Sequence, residues 1–211
     1  MPSRPPAILA IGRNYADHAR EMGGQLDPNP IIFMKNPASV IGDGQAIEIP
    51  PICREHGPQV DYEGELAVEI GRDCRDVPEE GALAVVRAYR AANDVSARWW
   101  QKQGSGGQFC RGKSFDTFCP LGPWIETEFD WTDARLTCAV NGEVRQDSNV
   151  GDVVVGVPDL IAAVSAVMTL VPGDVILTGT PAGVGPIRGG DTVTVRIEGL
   201  GSLTNPVVDG G

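Results

Sequence analysis

The sequence predicts a β-rich α+β fold in one domain, and three observations carry that prediction. Gly (27) and Pro (17) together make up about a fifth of the 211 residues, a density that interrupts helices and rules out a helical bundle. Short runs with strand character recur between these breakers. Only a few segments keep a helical period. The length is ample to bury a core. No charge run, repeat or linker divides the chain, so residues 1–211 are expected to form a single domain, with residues 1–7 as a loose N-terminal segment.

Taken in order, residues 14–22 read as a short helix with Asn14 as candidate N-cap. Residues 31–34 and 45–49 read as short strands. Residues 60–70 are the clearest strand, and residues 80–92 read as a helix. Residues 101–111 contain Gly104, Gly106 and Gly107 and read as a mobile loop. Residues 135–140 and 143–145 flank Asn141-Gly142, which supplies the positive φ angles of a type I′ hairpin turn. Pro158-Asp159 opens a helix with apolar residues at 160, 161, 164, 167, 168 and 171, and Pro172-Gly173 stops it. Residues 174–178 and 191–197 are late strands.

The net charge is −11, from 17 basic and 28 acidic residues. Such a chain repels the nucleic-acid backbone and anionic lipid surfaces, leaving small molecules and cations as ligands. The apolar run Ala7 to Ile11 is too short for a signal peptide. The longest one, Leu160 to Val171, is broken by Ser165 and Thr169 and falls short of a membrane span. Five cysteines (Cys53, Cys74, Cys110, Cys119 and Cys138) contain no C-x-x-C pair and are odd in number. A reduced, cytoplasmic protein is expected.

Chemistry begins with the strand at 60–70. Alternation places Asp61, Glu63, Glu65 and Glu69 on one face, with Glu63 and Glu65 about 7 Å apart along the strand. Like charges this close repel unless water or a cation separates them. Taken alone, the pattern also describes the solvated face of an edge strand. Asp94 follows the predicted helix and offers a third carboxylate, though alone it reads more simply as an N-cap. Three carboxylates without a nearby imidazole or thiol suit a hard ion, Mg²⁺ or Mn²⁺, better than zinc. His18 and Glu21 lie three apart on a helix, so the carboxylate can orient the imidazole as a general base; a surface ion pair has the same spacing. Lys113 follows the glycine-rich stretch and could hold a substrate carboxylate or an enolate, or be a solvated lysine. The segment 178–185 lacks G-x-x-x-x-G-K-[ST], so a nucleotide site is not expected; its glycines could bring amides close to an anion. No G-x-S-x-G is present, and no cysteine has an evident activating partner.

Six blocks in one order carry a resemblance: Ile11 to His18 (IGRNYADH), Phe33 to Ser39 (FMKNPAS), Asp61 to Leu66 (DYEGEL), Asn93 to Arg98 (NDVSAR), Arg111 to Asp116 (RGKSFD) and Leu177 to Gly185 (LTGTPAGVG). Over residues 8 to 208 the chain resembles the fumarylacetoacetate hydrolase family, and in length its short acylpyruvase and oxaloacetate decarboxylase-like members. The resemblance implies a mixed β-sandwich roll, usually homodimeric. It implies that Glu63, Glu65 and Asp94 bind Mg²⁺ or Mn²⁺ and that His18 and Glu21 form a base dyad on a short lid helix. Lys113, Arg98, Gln101, Gly179 and Thr180 would contact substrate. Two departures stand out. Residues 8–11 are apolar where some long members carry a further acidic ligand. Trp99 and Trp100 stand where a polar or acidic residue is common.

The expected reaction is metal-dependent hydrolysis of a C–C bond in a β-diketo acid such as an acylpyruvate, through a bound enolate, with a small anionic 2-oxo acid as substrate. The alternative is decarboxylation or isomerisation of oxaloacetate or of a 2-oxo or 2-hydroxy-dienedioate from aromatic catabolism. A third reading is a non-catalytic cation-binding domain.

Overall fold

The computed structural model describes residues 4–23, 29–123, 125–126 and 129–211. Of the segment 1–7, residues 1–3 lie outside these; Pro5 is buried and the Ala7 carbonyl accepts from the Val175 amide. In chain order the strands are β1 (Ile8–Gly12), β2 (Ile31–Lys35), β3 (Val40–Ile41), β4 (Ile47–Ile49), β5 (Val60–Tyr62), β6 (Gly64–Ile70), β7 (Val86–Asn93) and β8 (Ser96–Ala97). There follow β9 (Cys119–Pro120), β10 (Ile125–Glu126), β11 (Arg135–Val140), β12 (Glu143–Asn149), β13 (Val175–Leu177), β14 (Gly185–Pro186), β15 (Thr192–Ile197) and β16 (Gly201–Asp209). The helices are short: α1 (Ala16–Glu21), α2 (Pro51–Glu55), α3 (Glu79–Ala82), α4 (Arg98–Gln101), α5 (Phe109–Lys113) and α6 (Val157–Val167).

Six strands form one sheet in the order β10-β7-β6-β13-β1-β2, and five form a second, β12-β11-β15-β16-β4. β13 is the hinge of the first sheet, parallel to β1 on one side and antiparallel to β6 on the other. The sheets meet where β6 and β7 face β11 and β15. Leu66, Val68, Leu136, Val195 and Ile197 share one core there, each contributing about 1.5–3 kcal/mol of burial. Gly64 allows the close approach: a Cβ on it would meet Cys138 Cβ and Gln146 Oε1 at 3.2 Å. The strand-rich α+β class and the hairpin stand as expected, with Asn141 at φ 52° and Gly142 at φ 82° between β11 and β12.

Four local expectations are corrected. Residues 80–92 are not a helix: α3 and a 3₁₀ turn (Leu83–Val85) give way to β7, which pairs along β6 from Gly64↔Asn93 to Ile70↔Val86. Its Ala- and Arg-rich composition favours a helix locally, but pairing at the sheet centre overrides that preference. The strand at 60–70 is interrupted at Glu63, so β5 and β6 belong to different sheets, and both faces of β6 are buried rather than one solvated. Residues 101–111 are no open loop but α4, a 3₁₀ turn (Gln103–Ser105) and α5. Asn14 does not cap α1; Tyr15 occupies that position, and the Asn14 amide donates to the Val155 and Thr178 carbonyls instead. In addition, α6 ends at Val167, before Pro172, and β1 and β16 arise in segments where no strand is predicted. No helix among the described residues is long and apolar enough to cross a membrane.

Candidate active site and metal centre

The interruption at Glu63 builds the site. Leaving the strand, Glu63 donates its amide to Asn93 Oδ1 at 2.9 Å, and its carbonyl accepts from the Asp94 amide at 2.8 Å. These two bonds bring the end of β7 against the start of β6. Glu63, Glu65 and Asp94 are 4%, 1% and 1% exposed, and an oxygen of each lies within 4.8 Å of the others. The solvated-face and N-cap alternatives therefore fail.

Three cations stand among these acids. Lys113 Nζ donates to Glu63 Oε2 (2.8 Å), Asp94 Oδ2 (2.6 Å) and Ser96 Oγ (2.7 Å), using all three ammonium donors. Lys35 Nζ bonds Asp94 Oδ1 and donates to the Phe118 carbonyl at 2.9 Å. Arg98 donates from Nε to Asp61 Oδ2 and from Nη1 to Glu63 Oε1, both at 2.6 Å, and also to Gln101 Oε1. Its Nη2 is buried without a hydrogen-bond partner among the described residues. Burial works against ionised Glu63, yet Lys113 and Arg98 outweigh it and hold this carboxyl far below the usual range. Burial likewise opposes the Lys113 ammonium, and Asp94 and Glu63 reverse the effect.

Glu65 differs. It has no cation in contact among the described residues, and its Oε2 accepts only the Gly179 amide at 2.7 Å. Burial, then the neighbouring Asp94 and Glu63, drive its pKa well above that of an ordinary carboxyl. Four carboxylates (Asp61, Glu63, Glu65 and Asp94) thus face three cations. A divalent ion reaching one oxygen each from Glu63, Glu65 and Asp94 would remove the like-charge burden on Glu65, and an all-oxygen donor set suits Mg²⁺ or Mn²⁺. The residues fit the metal that the resemblance implies.

His18, on α1, is buried. Its Nδ1 lies 3.1 Å from Glu21 Oε2, and Glu21 Oε1 accepts the Gly183 amide at 3.0 Å. With Nδ1–H donating to Glu21, Nε2 is the ring's basic atom. A cavity of about 500 Å³ has His18, Glu63, Glu65, Arg98, Gln101, Lys113 and Thr180 in its wall. Asp94, Glu21 and Gly179 stand one layer back, bonded to Lys113, His18 and Glu65 respectively.

The 178–185 segment serves the protein's own acids: the Gly179 and Gly183 amides hold Glu65 and Glu21. Gly183 has φ +98°, and a Cβ there would lie 2.1 Å from the Arg145 carbonyl oxygen. Thr180 Oγ1 donates to the Gly64 carbonyl and accepts from Gln146 Nε2, both at 2.8 Å. Gln146 is absent from the sequence reading. Fully buried on β12, it also accepts the Gly64 amide and donates to the Pro181 carbonyl. It ties the second sheet to the site, and nothing in its local sequence signals this. Lys35 and Asp61 lie inside the quoted blocks, but only the fold reveals their pairing.

The family model for the fumarylacetoacetate hydrolase C-terminal domain matches residues 7–208. A mitochondrial oxaloacetate tautomerase of Rattus norvegicus is 43% identical over 216 residues, spanning 98% of this chain and 67% of that protein. The structure of a 5-carboxymethyl-2-hydroxymuconate delta-isomerase from Mycobacterium smegmatis superimposes with a TM-score of 0.90 at 49% identity, covering 99% of this chain and 80% of the other. A 2-hydroxyhepta-2,4-diene-1,7-dioate isomerase from Mycobacterium marinum gives 0.88 at 45%, covering 99% and 76%. With His18, Glu63, Glu65, Arg98 and Lys113 in one cavity wall and Asp94 and Glu21 bonded just behind it, these matches establish that the chain belongs to the fumarylacetoacetate hydrolase family.

Proposed function

We propose that the chain interconverts the keto and enol forms, or shifts the double bond, of a small anionic 2-oxo or 2-hydroxy acid. The observation that carries this is His18 in the cavity wall with Nδ1 fixed by Glu21, in the same wall as Glu63 and Glu65, with an Asp94 oxygen within 4.8 Å of theirs. Glu63, Glu65 and Asp94 would hold Mg²⁺ or Mn²⁺, which when bound supplies Lewis acidity toward the oxygens of a 2-oxo acid. His18 Nε2 takes the proton from the carbon beside the oxo group. The C–H electron pair becomes the C=C bond of the enol, the C=O π pair moves onto oxygen, and the proton held by the imidazolium is returned to that oxygen, or to a further carbon in a double-bond shift, which regenerates His18. Glu21 stabilises the imidazolium that forms. Lys113 keeps Glu63 and Asp94 in register and places positive charge where the enolate oxygen develops. The unpartnered Arg98 Nη2 and the Gln101 side chain are available to orient the substrate carboxylate.

The activities named for the relatives support proton transfer over the hydrolysis expected from sequence, in which the same base would act on water. The test follows the enol absorbance of oxaloacetate and of a 2-hydroxy-dienedioate with metal-stripped protein, before and after Mg²⁺ or Mn²⁺ is added. Activity should depend on the ion, and His18→Gln should lower kcat by about 10²–10⁴-fold. Cleavage of an acylpyruvate with neither enol converted would replace this reading with the hydrolytic one.

A further inference from the structure

The inner cations of the cavity are committed. Lys113 and Lys35 are buried against carboxylates, and Arg98 spends two nitrogens on Asp61, Glu63 and Gln101. Two other cations line the same cavity: Arg13 and Lys102. Both are exposed, and neither side chain makes a hydrogen bond or ion pair with another described residue.

Arg13 is also held in an uncommon backbone conformation. It lies between β1 and α1 with φ +60°, in the left-handed region where glycine is the cheap residue. A bulky side chain kept there points to work done by that side chain. Exposure also grades along the cavity. The carboxylates and Lys113 are buried, Phe33 and Phe109 are half-buried with their rings 5.3 Å apart, and Arg13 and Lys102 are exposed. The lining therefore runs from a charged inner end, past an apolar aromatic belt, to a cationic rim.

We infer that Arg13, assisted by Lys102, is a specificity-determining residue that binds a second carboxylate of the substrate, at the far end of an apolar carbon chain from the 2-oxo head. This rests on the proposed function and narrows it to diacids with an apolar spacer. A guanidinium can take a carboxylate through two parallel N–H···O bonds. In a chain of net charge −11, an unpaired rim cation also offsets repulsion of a dianionic substrate.

Calorimetric titration of Mg²⁺-loaded protein with 2-oxohexanoate and 2-oxoadipate reads the subsite without turnover. These six-carbon acids share the 2-oxo head and differ in the terminal carboxylate. The diacid should bind roughly tenfold more tightly, and that preference should shrink as salt rises, as expected for a rim contact. Arg13→Gly suits the backbone angle, so its melting temperature should not fall, while the diacid preference should drop to about twofold or less. Lys102→Gln should reduce the preference by a smaller factor. Equal binding of the two acids by the unaltered protein, or a preference that survives in both variants, would overturn the subsite while leaving the proposed function standing. Failure of both acids to bind with Mg²⁺ or Mn²⁺ would overturn both.

Discussion

The two ends of the cavity are held by different physics. At the carboxylate end, side chains hold one another: Lys35, Lys113 and Arg98 interlock with Asp61, Glu63 and Asp94, all out of water. At the other, the wall is two helical pieces of four and five residues, α4 and α5. Aromatic contacts and close backbone approach fix them: Trp99 stacks on His56 at 4.7 Å and lies edge-on to Trp100, and Arg111 covers the Trp100 ring at 3.9 Å. A buried ionic lattice cannot lose one member cheaply, because the partner is left charged and dry. An aromatic latch, with Trp100 buried and Trp99 half-buried, loses contact area instead. The site thus joins a stiff pole, where charge must be placed accurately, to a wall held by ring contacts, and Arg98 on α4 and Lys113 on α5 tie the two together.

The sharpest way to break this contrast is Lys35→Met. It leaves Asp94 without its inner cation and should lower unfolding stability by about 3–5 kcal/mol in urea titration; a loss below about 1 kcal/mol would show that the ammonium is not part of the lattice. Gly112→Ala should come second. A Cβ there would lie 2.4 Å from the Gln101 amide nitrogen, where α5 crosses α4. Overpacking of this kind costs about 1–3 kcal/mol. Because Lys113 is the next residue, Mg²⁺ affinity measured by calorimetry should weaken as well. An unchanged variant would mean the helices already stand further apart. The smallest effect belongs to the latch: His56→Ala should cost about 0.5–1.5 kcal/mol and shift Trp99 emission toward the solvent-exposed value, with the carboxylate end intact. A loss as large as that of Lys35→Met would erase the distinction between the two ends.

Much of the stiff pole was legible in the sequence. Glu63 and Glu65 are two apart, so alternation along the chain puts them on one side, and the order of the blocks adds Asp94 and Lys113. What stayed hidden has physical causes. Asp61, Glu63 and Glu65 look like a wet edge because alternation cannot report Arg98 and Lys113, which reach this face from later in the chain. Residues 86–92 read as part of a helix because Ala and Arg favour it locally, while the pairing that makes them a strand comes from β6. Gln146 sits on β12, 82 residues beyond the Gly64 amide it accepts, and such partners have no local signature. Residues 101–111 read as a mobile loop because their glycines suggest freedom; Gly104 is in fact covered by Trp99, with a Cβ position 2.3 Å from the ring.

The placement of β13 between β1 and β6 has a bearing on how the molecule is made. Residues 8–12 and 64–70 become neighbours in the first sheet only through residues 175–177. Glu65 waits likewise for the Gly179 amide, 114 residues later, and Glu21 for that of Gly183, 162 residues away. Pairings so remote in sequence make folding slow, on the millisecond-to-second scale. On the ribosome, a chain that has already exposed its carboxylate trio and dyad must hold them unfinished until nearly all of the sheet has emerged. The cavity is therefore among the last features to assemble, and a nascent chain stalled before residue 175 carries every acid of the site without the strand that encloses them.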